Sequence, residues 1–477
     1  MAAKKFLPLG AEHNKAASDK RTERMGTESV TRLLLRFSVP AIIAEETSAG
    51  YNLFDAIWAG RLSTEALAAL TVASPLMAIY RAVGSGIGVG AASLIARRLG
   101  AGEKEEANRA AGCSITFFFV ISSIVSVICL LNLRTLLQLF GANDAVLPYA
   151  EAYMSVETAS VALDFFLLVL VELVRIGGSS SIANSGMIVA SIADLIWSPI
   201  LVFGLGPFPA LGLAGAALGT TVGRAMGVAI LVAYLGLGKS IYQFRPKHFL
   251  IDTKIVTEIY RVGISQTVRA SGASIAQILA SRTAASFGVI PLAVLGVLMK
   301  VNRIVFAFCM GIGQGLLPLV GYNFAAQKKE RVSELVTKAG LASALWGVLW
   351  WVVASFSAIQ VMSVFDTSPD FLIAGPPALL MFSLGFSTLG VQQNLSCFFQ
   401  GIGKGLPALV VAASRQIIFL IPCLLILPRL YGLNGLWAAY PLSDALALVL
   451  SLIWTIVAFR GLGIPFRFHS TSPPRQD

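Results

Sequence analysis

The chain has 477 residues, of which 56% are hydrophobic and only 13% charged, with a net charge of +11 at pH 7 and a mean hydropathy of +0.77. A soluble globular chain carries about 25% charged residues, so this composition excludes a soluble enzyme and places the chain in a bilayer. The basic residues fall mostly in tails and short loops, which is the pattern of membrane topology and not of nucleic-acid binding.

Apolar runs long enough to cross a ~30 Å hydrocarbon core as helix predict twelve spans, at 33–58, 66–96, 112–133, 148–175, 183–205, 211–237, 255–286, 291–320, 335–361, 371–400, 406–428 and 433–460. The polar, basic residues 1–32 form a tail, with no cleavable signal peptide. Lys and Arg crowd this tail, the even-numbered gaps and the C-terminal segment. Both termini are therefore expected in the cytoplasm of a cell inner (plasma) membrane protein. The fold class expected is all-α integral membrane, twelve transmembrane helices in two parallel six-helix lobes. The divisions are residues 1–32 (tail), 33–237 (N-lobe), 238–254 (cytoplasmic inter-lobe linker), 255–460 (C-lobe) and 461–477 (cytoplasmic tail).

The first span contains charge where lipid disfavours it. Glu45, Ser48, Asn52 and Asp55 fall within an arc of about 80° on a helix. An ionisable group in hydrocarbon costs at least ~2.5–3.5 kcal/mol and is by default functional. Pairing with an arginine such as Arg81 is the structural alternative. In the second span, the glycines of GSGIGVG at Gly84–Gly90 follow no strand and suit close helix packing, not nucleotide binding.

The fourth span carries Glu157, Asp164 and Glu172, and the fifth carries Asp194. Glu157 and Asp164 are seven apart and share a helix face. A carboxylate held away from water titrates nearer neutral pH than one in water, which is the chemistry a proton-coupled antiporter needs. In the second half the deep charges are mostly basic: Arg269, Lys300, Arg303 and Arg415, with Asp444. They either pair with Asp444 and snorkel to the membrane edge or attract an anionic or zwitterionic substrate.

The chain repeats itself at a spacing of about 220–225 residues. GIGVGAASLIARRLGAGEKEEA at Gly86–Ala107 answers GIGQGLLPLVGYNFAAQKKERV at Gly311–Val332, and LGLAG at Leu211–Gly215 answers YGLNG at Tyr431–Gly435. Six spans per repeat return the chain to its starting side, so the repeats are parallel. Two such lobes flanking a cleft suit alternating access. The five cysteines and three histidines form no CxxC, HExxH or catalytic grouping, so no metal centre, no cofactor and no enzyme activity are expected.

With these motifs the sequence resembles the multidrug and toxic compound extrusion (MATE) transporters, within the wider multidrug, oligosaccharidyl-lipid and polysaccharide flippase superfamily. The resemblance covers roughly residues 30–460. It rests on SVPAI at Ser38–Ile42, FDAIWAG at Phe54–Gly60, FGLGPFPALGLAGAALGT at Phe203–Thr220, LVGYNFAAQKKERV at Leu319–Val332, FFQGIGKGLPALVVAASRQ at Phe398–Gln416 and GLNGLWAAYPLSD at Gly432–Asp444.

The family implies sodium- or proton-driven export of drugs or metabolites. It implies a coupling Asp on the first span, matched by Asp55, and in many members an Asn–x–x–x–Asp pair on the fifth. Here that pair reads Asp194 to Ser198, so the carboxylate sits one turn earlier. A sixth-span Thr is matched by Thr220. The second lobe lacks the acidic set of some members, which points to the DinF-like branch and to H+ before Na+ as coupling ion.

The expected cation-coupling residues are thus Asp55, Asp194, Ser198, Asn52, Glu45 and Thr220, and the expected substrate cleft draws on Asp164, Arg269, Lys300 and Arg303. The expected protein is a monomeric multidrug or metabolite antiporter in a lipid bilayer, with a small-molecule substrate. The rival of the same fold is a lipid-linked oligosaccharide flippase, for which the basic residues would suit a pyrophosphate.

Overall fold

The computed structural model describes residues 23–140, 142, 144–365 and 368–465. The first half comprises α1 (Val30–Leu62), α2 (Thr64–Gly100), α3 (Lys104–Leu131), a short α4 (Leu133–Leu139), α5 (Leu147–Ala159), α6 (Val161–Ile176), α7 (Ser180–Phe203) and α8 (Leu213–Tyr234). The second comprises α9 (Thr253–Ser286), α10 (Val289–Ala325), α11 (Lys329–Ser363), α12 (Pro369–Ser383), α13 (Phe386–Gly401), α14 (Gly405–Ala413) and α15 (Ile421–Leu462). The described residues contain no strand.

Taken by themselves, seven of these helices are long and apolar enough to cross a membrane, or eight with the α12–α13 pair, bent by 42°, taken as one. The fold nonetheless has twelve spans. Helices α5 and α6 together make the fourth, interrupted at Ser160. Helix α15 holds the end of the eleventh and the whole twelfth, which meet at a non-helical Gly432. Helices α1 and α9 intersperse Ser, Thr, Gln, Asn and a few charged residues among their apolar ones, which lowers their hydropathy. Several helices also start before their apolar run; α3 begins at Lys104, not 112, because a charged turn beyond the hydrocarbon needs no apolar side chains.

The internal repeat is written in the backbone. Left-handed residues recur in register: Gly102 (φ 81°) and Gln327 (φ 59°), Gly178 (φ 83°) and Gly403 (φ 74°), Gly212 (φ 57°) and Gly432 (φ 58°). Their spacings are 225, 225 and 220 residues. The break at Ser160 likewise corresponds to the break before Phe386. Past the third pair, a Cβ on Gly215 would strike the carbonyl of Leu201, and one on Gly435 the carbonyl of Leu427. Glycine is needed at both for the helix to press against the preceding one.

Backbone contacts divide the chain into two compact units. One holds Thr47–Tyr260, and the other holds Val30–Glu46 with the chain from Arg261 onward. The first half of α1 thus packs with the second unit. The first unit has an apolar core around Leu170, Val174, Ala183 and Leu231. The second is centred on Leu298, Val305, Phe371 and Leu436.

The basic segment after α8 is not a loose connection. It passes through a π-turn (Leu235–Lys239) and a 3-10 turn (Pro246–Phe249) and lies along α3. Gln243 N donates to Asn108 Oδ1 (3.1 Å) and Thr116 Oγ1 to the Phe249 carbonyl (2.8 Å). A Cβ on Gly112 would collide with the His248 carbonyl. Arg109 closes this contact on Asp252 at 2.8 Å.

Candidate functional site

Helices α7 and α8 meet along a glycine ladder. Gly215, Gly219, Gly223 and Gly227 recur every four residues on α8, and a Cβ on any of them would fall within 3 Å of α7 backbone or side-chain atoms. Small residues at i and i+4 let two helices approach closely in a membrane. The ladder brings Asp194 and Ser198 of α7 against Thr220 of α8. Asp194 Oδ1 accepts hydrogen bonds from Ser198 Oγ (2.7 Å) and Thr220 Oγ1 (2.9 Å). Asp194 is only 2% exposed. Its other oxygen, Oδ2, is buried and has no hydrogen-bond partner among the described residues.

One turn beyond Thr220, Arg224 is also buried. It donates to Glu157 Oε2 at 2.8 Å and lies 3.1 Å from Asp164 Oδ1. The break at Ser160 separates these two carboxylates onto α5 and α6 while leaving both facing α8. Thr221 Oγ1 donates to Ser160 Oγ at 3.1 Å and ties the break to the same helix. Glu157 Oε1 is buried and has no hydrogen-bond partner among the described residues. A half-open pocket lies here, lined by Asp164, Arg224, Asp194, Thr220, Ser191 and Ser48 among others.

The charge balance is three carboxylates to one guanidinium, with serine and threonine hydroxyls around them. Such a site favours a small cation or protons. No group of three His, Cys, Asp or Glu among the described residues is disposed to hold a metal ion.

The residues expected from sequence are distributed as follows. Asp194, Ser198, Thr220 and Asp164 come together in the first unit. Ser48, from the polar stripe of α1, reaches the same pocket. Asn52 and Asp55 are helical positions of α1 whose side chains lie outside the described residues. Glu45 belongs to the other unit and accepts a hydrogen bond from Gln314 Nε2.

Arg269 is held by Gln266 Oε1 (3.1 Å) and faces Phe306, 5.7 Å from its ring centroid. Lys300 is exposed, 5.5 Å from the Phe365 ring centroid, and Arg303 is exposed. No hydrogen bond or ion pair joins these three among the described residues. Arg415, on a π-turn (Ser414–Leu420), pairs with buried Asp444. The second unit thus carries its base on the eleventh span and its acid on the twelfth, whereas the first carries acid on the fifth and base on the sixth.

Sequence reasoning missed Arg224 and the glycine ladder. Both had signals: a lone arginine in GTTVGRAMG, one turn after Thr220, and glycine at every fourth position from Gly215.

The sequence model of the MatE family matches residues 40–200 and 272–425. A multidrug export protein, MepA, of Staphylococcus haemolyticus is 24% identical over 412 residues, 86% of this chain and 90% of that one. An FAD transporter of Shewanella oneidensis is 24% identical over 427 residues, 87% of this chain and 92% of that one. Among solved structures, a MATE protein in a bent conformation superposes with a TM-score of 0.86 at 22% identity, covering 96% of this chain and 98% of that one. An outward-facing multidrug resistance MATE transporter does so with a TM-score of 0.87 at 22% identity, covering 93% and 99%.

Proposed function

The chain belongs to the MatE family, and from that premise we propose that it is a secondary active exporter of small molecules driven by inward flow of a cation, protons in preference to sodium. In this reading the two six-span halves alternate access, and the substrate crosses unchanged. The protein resides in the plasma membrane as a monomer with both termini in the cytoplasm, a placement supported by the distribution of Lys and Arg. Several of the relatives are multidrug export proteins.

The observation that carries the coupling is Asp194. One of its oxygens holds two hydroxyl donors, one from its own helix and one from α8, and the other is buried and unclaimed. An arriving proton or cation would bind at the unclaimed oxygen. Neutralising the carboxylate weakens the charge-assisted bonds from Ser198 and Thr220, and with them the tie between α7 and α8. Asp55 acts with it as the second coupling carboxylate. The ion drives transport only by binding the two access states with different affinity.

The test uses everted membrane vesicles, acidic inside, challenged with cationic, neutral and anionic compounds. Wild type should collapse the pH gradient with at least one compound, and Asp194→Asn and Asp55→Asn should not. If no compound collapses a pH gradient, the same panel against a sodium gradient decides between ions. Unimpaired collapse in folded Asp194→Asn would remove this carboxylate from coupling.

A further inference from the structure

Two strong hydrogen-bond donors in the second unit share one weak acceptor. Arg269 lies near the middle of α9 (Thr253–Ser286), where an ionised side chain is disfavoured unless something balances it. Among the described residues, no carboxylate comes within ion-pair distance of it. Its Nε donates to Gln266 Oε1 at 3.1 Å, and among the described residues its terminal nitrogens find only the thioether of Met310, 3.9 Å from Nη2.

Gln393 on α13, 5% exposed, points its amide nitrogen at the same sulfur from 3.3 Å, and otherwise at Cys397 Sγ, 3.6 Å away. Thioether and thiol sulfurs are poor acceptors. A guanidinium and a carboxamide therefore converge on an atom that satisfies neither. The neighbouring carboxylate of this unit, Glu45, is engaged by Gln314, and Asp444 by Arg415.

We propose that the space now filled by the Met310 thioether, between Arg269 and Gln393, is the recognition point for the acidic group of an organic anion, a carboxylate or phosphate attached to an apolar body. The geometry supplies each requirement. An oxyanion in place of the sulfur would accept from both nitrogens in charge-assisted bonds. Methionine is unbranched and has three rotatable side-chain bonds, so it can swing away on binding. The Phe306 ring beside the guanidinium offers the apolar body a surface. The same residue types explain why no cation is favoured here: every polar group aimed at the sulfur is a donor. The proposal rests on the exporter reading only in taking this ligand to be the transported substrate.

The experiment is fluorescence anisotropy on the full chain in nanodiscs, with fluorescein as the anionic probe and ethidium as the cationic control. Wild type should bind fluorescein. Arg269→Gln should weaken that binding by at least about tenfold, Arg269→Lys less, because lysine keeps the charge without the planar fork, and Met310→Leu should bind as tightly or more tightly. Ethidium binding should not weaken with any of them.

Displacement by benzoate would assign a soluble acid as the natural ligand, and displacement by short-chain phosphatidate alone a lipid phosphate; either supports the oxyanion site. Absence of fluorescein binding to wild type overturns it, as does equal fluorescein binding by Arg269→Gln or an equal loss of ethidium. If Arg269→Gln does not fold, Arg269→Lys and Gln393→Leu give the same decision, each expected to bind fluorescein more weakly than wild type. Gradient collapse by cations only would overturn the proposal and leave the exporter reading standing. Arg269-dependent fluorescein binding without collapse of any gradient would do the reverse.

Discussion

Replacing Arg224 by methionine removes the one cation among the described residues that pairs with Glu157 and Asp164. The side chain sits 2.8 Å from one carboxylate and 3.1 Å from the other, and Glu157 is 2% exposed. Methionine fills much of the same volume, so the loss is mainly electrostatic. Breaking a buried pair by deleting one partner costs about 3–5 kcal/mol, because the remaining charge stays buried and uncompensated.

The triple variant Glu157→Gln, Asp164→Asn, Arg224→Met removes all three charges and should recover most of that loss. Thermal unfolding with a thiol-reactive fluorogenic dye is a suitable readout, since Cys113, Cys309, Cys397 and Cys423 are buried and become reactive only as the fold opens. Arg224→Met should melt well below wild type and the triple variant close to it. If Arg224→Met melts with wild type, or the triple variant melts no higher than the single one, the bridge does not hold these helices together.

Three further outcomes follow from the geometry. Ser198→Ala and Thr220→Ala each remove one donor to Asp194, and each should lower gradient-coupled transport by about tenfold in protein that still folds; unchanged flux in both would contradict the assigned role. Gly219→Val would push a side chain into Ser198 and should lower stability by about 1–3 kcal/mol, seen as a lower melting temperature in the dye assay. Arg415→Met should destabilise by stranding Asp444, which is buried in the second unit, and adding Asp444→Asn should restore melting; a double variant no better than the single would show the pair to be incidental.

The spans were legible because hydrocarbon thickness sets their length, and the repeat because the same turns need the same residues. The glycines of LGLAG and YGLNG, matched as letters, adopt the same φ to within 1° at Gly212 and Gly432. The pairing of Asp194 with Ser198 and Thr220 was legible in part, from one-turn spacing and from family resemblance. What sequence did not yield was which elements meet across distance. Glu157 and Asp164 were read as a shared face of one helix, yet a break divides them and an arginine from the sixth span joins them. Glu45 shares a stripe with Ser48 on the wheel, but its half of α1 packs with the other unit and Gln314 takes its carboxylate. Helical periodicity describes one helix at a time; partner choice depends on glycine ladders and breaks whose effect is realised only when two helices touch.

The segment between α8 and α9 looks in sequence like a tether, basic and without an apolar run. Its hydrogen bonds to Asn108 and Thr116, and the lack of room for any side chain at Gly112, make it a fitted part of the first unit. A protease site or affinity tag inserted at residues 243–249 would therefore not yield two separable halves. It would pry a turn off α3 and expose the buried faces of Cys113 and His248. For engineering, the segment is better treated as a seam of the first unit than as a free joint.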